Sequence, residues 1–276
     1  MTRSIAVLAF LTLALGFPPS VPARVSAVGN PRLPDMRTVV PQHLQVVNPA
    51  KGSKKEVLRF ANGVANLGDG PWRMRPRFPL GDLSQPQEAI QEILDSTDSY
   101  GSIVEEKLVS RFEWHETHNH WHINGIALFE FRKSRGGTAS TADIGDVYGG
   151  NSLKTTFCLI DWIRYEGNSN TGKKTDRVYF DCAGDYQGVS VGWVDQYHQA
   201  TDGQELDISG APVGYYYLLS TSNPEGTFKE KDLSNNSAWV YLELSRDSQG
   251  NAKIGVITDS VEAEGTGLPD TYSANR

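Results

Sequence analysis

Roughly every ten residues along most of this chain, clusters of Gly, Asn, Asp and Ser interrupt short stretches rich in β-branched and aromatic residues. Examples are INGIALFEFRK, LKTTFCLIDW, DRVYFDC, GQELDIS, VGYYYLLSTS, NSAWVYLELS and KIGVITDS. Segments this short and evenly spaced cannot each bury an apolar face alone, and the economical solution is to pair them edge to edge in antiparallel sheets packed face to face. The expected fold is therefore mainly β, an antiparallel β-sandwich with long loops and at most short helices. Upstream, LPDMRTVV and HLQVV read as two leading strands, and KEVLRFANGVANLGDGPW alternates Val57, Arg59, Ala61 and Gly63 against Leu58 and Phe60 before a Gly-Asp-Gly turn. One stretch breaks the pattern: SQPQEAIQEILDS carries Ala89, Ile90, Ile93 and Leu94 at helical spacing behind Ser84 as an N-cap, which predicts a short inserted helix. Residues 134–152, SRGGTASTADIGDVYGGNS, read as a long loop, and the tail after Pro269 as frayed.

The chain has 276 residues, 38% of them hydrophobic, enough for one sizeable core. Residues 1–27 place Arg3 before the apolar run IAVLAFLTLALGF, then PPSVP and small residues ending at Ala23 or Ala27, the layout of a secretory signal peptide too short to be a comfortable membrane span. Residues 28–276 are then expected to form a single β domain. Removing 1–27, which holds two arginines and no acid, moves the formal net charge from −7 to −9. Such a surface argues against nucleic acid as a partner. The two cysteines, Cys158 and Cys182, fall in the mature part, where an export route favours a disulfide over two buried thiols. Their spacing does not suit a thiolate metal site.

Four of the six histidines, His115, His118, His120 and His122, fall within FEWHETHNHWHING. In extended chain His118, His120 and His122 project from one face, neighbours roughly 6.6 Å apart at about 3.3 Å per residue. The outer pair is twice as far apart, so one ion can take all three only where the strand curls or ends. Three imidazoles on one face, with Trp114 and Trp121 shielding the neighbourhood, point to a metal site rather than to ordinary surface histidines. All-nitrogen ligands suit copper, zinc, nickel or iron, with copper(II) heading the affinity order. His115, three residues before His118, reads as a neighbour that orients the ligands.

EWHETHNHWH resembles the copper segment of the lysyl oxidase family, and the likeness continues in LKTTFCLID and in YQGVSVGWVDQYHQATDGQELDISGAPVGYYYLLSTSNPEGTFKEKDLSNN, covering roughly residues 33–246. The resemblance implies that His118, His120 and His122 hold copper(II), and that Lys154 and Tyr197 join into lysine tyrosylquinone, a cofactor the protein makes from itself. It further implies oxidation of a primary amine, a small amine or a lysine side chain of a protein, to an aldehyde by O2, with release of hydrogen peroxide and ammonia. Asp195, two residues before Tyr197, is a candidate for the base that removes the α-proton or, equally, a turn-forming Asp.

Against the animal members of that family this chain is poor in disulfides. Thr117 stands where they carry a cysteine, and Cys158 and Cys182 lack their usual partners, which implies that these two pair with each other. Two other classes compete. A secreted, non-catalytic metal-binding or adhesion sandwich explains the histidines but gives Lys154 and Tyr197 no joint role. A zinc hydrolase needs a carboxylate beside the metal, and Glu116 faces away from the ligands on a regular strand.

Overall fold

A computed structural model of the protein describes residues 29–49, 55–165, 175–182 and 185–269; within this range the side chains of 150–155 are outside the description. The predicted signal peptide at 1–27 and the frayed tail beyond Pro269 lie outside the described residues. Fourteen strands follow one another: β1 (Met36–Val47), β2 (Val57–Asn66), β3 (Trp72–Pro76), β4 (Gln87–Leu94), β5 (Ile103–His115), β6 (His120–Ser134), β7 (Ile144–Phe157), β8 (Ile163–Arg164), β9 (Gln187–Val189), β10 (Trp193–Tyr197), β11 (Glu205–Asp207), β12 (Gly214–Ser222), β13 (Ser237–Arg246) and β14 (Ala252–Asp259). A single short helix, α1 (Ser260–Glu264), closes the described chain, its N-terminal amides capped by the Asp259 carboxylate. No described helix is long and apolar enough to cross a membrane.

One sheet runs β1-β2-β10-β8 with β11 added to β2, the other β14-β13-β12-β6-β5-β4-β3-β9 with β7 added to β6. The strand pairs within them are antiparallel, for example β5 with β6 and β10 with β2. Phe60 of the smaller sheet meets Phe129 of the larger edge-to-face at 4.9 Å, and Leu58, Val64, Phe131, Leu218 and Val240 fill the same fully covered core. Mainly β, antiparallel and double-layered, this is the architecture expected from the turn spacing.

Several local expectations are corrected. Residues 87–94 form β4 and not a helix, hydrogen-bonded to β3 on one side and β5 on the other. Ala89, Gln91 and Ile93 all point into the interior, so the true period is two, hidden because Gln91 is polar. Gln91 is tolerated there because its amide accepts from Lys229 N at 2.7 Å and donates to Lys229 O at 2.8 Å. Ser84 caps nothing; it bonds to the Asp82 carboxylate in an exposed turn. Residues 134–152 are not one loop, since β7 begins at Ile144 after a single 3-10 turn at Thr141–Asp143. MRTVV and HLQVV are one strand with two register shifts, and Pro41 within it is accommodated because β1 is a sheet edge. DRVYFDC is not a strand: the amides of Val178 and Tyr179 donate to the buried Asp161 carboxylate at 2.8 and 3.1 Å instead of to a neighbouring strand.

Candidate functional site

β5 and β6 form a hairpin in register Trp114↔Trp121 and His115↔His120, with residues 116–119 as its turn. The His115 carbonyl accepts from the amides of His118 and Asn119, and Asn119 takes φ 56°, a left-handed conformation that Asn adopts more readily than most residues. His118 therefore sits on the turn, not on a strand face with His120 and His122. The turn folds it back over the strand, which is the curl that a shared ion demands.

The result is convergence. His118 Nδ1 lies 3.2 Å and His120 Nε2 lies 2.9 Å from His122 Nε2. Nitrogens sharing one ion at about 2.0–2.1 Å stand about 3 Å apart, the spacing that each of these two pairs shows. On its other side His122 Nδ1 meets the Thr156 hydroxyl of β7 at 2.9 Å, the kind of contact that fixes a ligand's ring orientation. Burial pushes the His122 imidazole down to about 3, with His115, His120 and His118 adding to the effect, and it lowers His118 and His120 as well. These shifts favour the neutral form, which has a lone pair to donate, in all three. His115 stacks on His118 at 4.3 Å and on His122 at 4.5 Å while its Nδ1 contacts Thr117 Oγ1 at 3.1 Å. Its ligand atom lies within 4.8 Å of those of His118 and His122, so these three form a group that could hold an ion as well.

Tyr197, at the end of β10, brings its ring to 6.4 Å from the His122 ring, edge to face. Phe157 stacks on it at 4.1 Å, and its hydroxyl accepts the Cys158 N–H at 3.0 Å. Burial raises this phenol above its ordinary range, and the Asp195 charge raises it further. Asp195 is fully covered, and its Oδ2 has no hydrogen-bond partner. Burial lifts the carboxyl well above the usual range, with Asp161 adding repulsion. Lys154, on β7, is placed by its backbone alone, opposite Leu128 of β6 and two residues before Thr156; its side chain lies outside the described residues.

Cys158 and Cys182 form a disulfide, Cα to Cα 5.6 Å, across a separation of 24 residues. On the loop-entropy account a closure of this length contributes roughly 3 kcal/mol. The bridge walls a cavity of about 340 Å³ that is also lined by His118, His120, Trp162, Asp195 and Tyr197. Thr156, Phe157 and Asp161, unassigned by sequence spacing, all belong to or flank LKTTFCLID and steady the site. Glu116 is exposed on the turn and does not line the cavity; Asp195 is the carboxylate that does.

A two-layered antiparallel β protein with a three-imidazole cluster beside a half-buried tyrosine is the class that fold and site define. The sequence profile described as lysyl oxidase matches residues 101–251, and the chain belongs to that family. It is 33% identical over 125 residues to lysyl oxidase homolog 3A of Danio rerio, 45% of this chain but 15% of that protein. Against lysyl oxidase homolog 2 of Rattus norvegicus and of Homo sapiens it is 31% identical, again over 45% of this chain and 14% of each relative. The matched stretch is thus a small part of those longer proteins.

Proposed function

We propose that the protein is a copper-dependent amine oxidase that converts primary amines, lysyl side chains or small amines, with O2 and water to aldehydes, releasing hydrogen peroxide and ammonia. The observation that carries this reading is the convergence of three imidazoles beside the Tyr197 ring at a cavity that Asp195, with its unpartnered oxygen, also lines. His118, His120 and His122 would hold copper(II), and Lys154 and Tyr197 would form lysine tyrosylquinone. When bound, copper supplies the oxidation of Tyr197 by O2, and the resulting quinone supplies the electrophile for the amine.

The chain's own residues do the rest. Thr156 holds His122 with its Nε2 turned to the cluster. Phe157 and the Cys158 amide fix the plane and hydroxyl of Tyr197, so a lysine amine arriving on its ring meets a stationary target. Asp195 Oδ2, with no other partner, accepts the proton from the amine-bearing carbon, and its raised pKa makes it a stronger base than an exposed carboxylate. The disulfide suits an oxidising compartment, and with the predicted signal peptide it supports secretion of residues 28–276 as one catalytic domain.

The alternative, a secreted metal-binding or adhesion sandwich without turnover, draws on the packing of Tyr197, whose stacked ring and bonded hydroxyl are equally those of a structural tyrosine. Peroxide release separates the two. Copper-loaded, aerated protein should release peroxide from primary but not tertiary amines and should form a coloured adduct with phenylhydrazine. Absence of both across monoamines, diamines and lysyl peptides gives the binding reading precedence.

A further inference from the structure

The cavity wall carries an indole that packing does not explain. Trp162 is 51% exposed, yet the main chain around it is pinned. Its amide donates to Val194 O at 3.2 Å, and the following Ile163 pairs with Val194 in the sheet. The preceding Asp161, fully buried, accepts from the amides of Val178, Tyr179 and Ser190 and from the Ser190 hydroxyl. Loose surface tryptophans do not need such support. Among the described residues no lysine or arginine covers this ring, although Arg164, two positions on, lies over Trp193 at 4.8 Å. Across the same cavity Thr201 lines the wall and is followed by the exposed Asp202. No described lysine or arginine makes an ion pair with Asp202.

A fixed, half-open indole on the cavity wall, with an exposed carboxylate one residue beyond the lining Thr201, offers the elements that recognise an organic cation. The amine that reacts must be uncharged to act as a nucleophile, so the cation they recognise is a second one. We propose that Trp162 is a specificity-determining residue, and that with Asp202 it selects dicationic amines, diamines or lysyl residues flanked by another basic group, over monoamines of the same length. This rests on the oxidase reading for its chemistry but not for its binding. The cavity's apolar side, formed by Ile160, Trp162 and the disulfide, suits the methylene chain between the two nitrogens.

The test has two arms on the full chain. In the first, kcat/KM for 1,5-diaminopentane is compared with that for pentylamine. The wild type should favour the diamine by at least about fivefold, the effect expected of one partly desolvated cation–π contact helped by a carboxylate. Trp162→Ala should bring the ratio near unity through KM, Trp162→Phe should keep part of it, and Asp202→Asn should lower it. In the second, calorimetry with 1,5-bis(trimethylammonio)pentane, which cannot be oxidised, should show binding weakened by a similar factor in Trp162→Ala and less in Trp162→Phe. A wild-type ratio of one, or a dication affinity indifferent to Trp162, overturns the proposal. If no amine is turned over while dication binding still depends on Trp162, the oxidase reading fails and the cation site stands.

Discussion

The Thr156 hydroxyl, 2.9 Å from His122 Nδ1, ties the histidine hairpin to β7, the strand whose backbone also carries Lys154. The contact leaves His122 Nε2 facing His118 and His120 and brings the proposed metal ligand and the proposed cofactor residue onto adjacent strands. Removing the hydroxyl at constant shape, Thr156→Val, should weaken copper binding by about 10–100-fold, the usual cost of losing a partner behind a ligating histidine. Competition titration against a chelator of known affinity reads this, and unchanged affinity would show that the hydroxyl does not orient the ring.

The ligand set should separate from its neighbour. Replacing His118, His120 and His122 together by Ala should abolish stoichiometric copper(II) and its resonance spectrum, whereas His115→Ala should retain the metal with a modest change of affinity. Equal copper loss in His115→Ala would move His115, which stacks on two of the three rings, into the ligand set.

Lys154→Arg and Tyr197→Phe should each abolish amine oxidation while copper stays bound. In the wild type, a protease digest of reduced, copper-loaded, aerated protein should contain one species joining the Lys154 and Tyr197 peptides, and mass spectrometry should find it in neither variant. The bond would close a loop of 43 positions and restrict the unfolded chain by roughly 4 kcal/mol on the loop-entropy account. Full activity in either variant would place the cofactor on other residues.

Asp195 predicts a pH signature. Its carboxyl is raised in the folded protein, chiefly by burial, so the folded form holds a proton that the unfolded chain releases earlier. The associated stability is complete below the unfolded pKa and is lost as pH rises through the folded one. As a base it works only after that loss, so kcat/KM should climb with pH on a limb lying above the ordinary carboxylate range. Asp195→Asn should remove the limb, cut the rate by about 10²–10⁴-fold and make the melting temperature less sensitive to rising pH. A limb that persists in the Asn variant would assign the proton transfer elsewhere.

The sequence alone determined what is local. Turn residues at regular spacing sufficed for an antiparallel two-sheet fold, because strands with one apolar side have few other ways to cover it. Residue type and spacing brought out the histidines, and two cysteines with no other partner formed the disulfide. Where a residue's environment is made by distant chain, local pattern misled. Gln91 hid the period of β4 because its partner, Lys229, lies far along the chain, and Asp161 drew the amides of DRVYFDC out of any sheet. Only the tertiary structure folded His118 back from the turn onto His122, covered Asp195, stacked Phe157 on Tyr197 and left Trp162 open over the cavity. Burial, desolvation and nitrogen-to-nitrogen distance depend on segments tens of residues apart meeting in space, and no spacing within one strand encodes them.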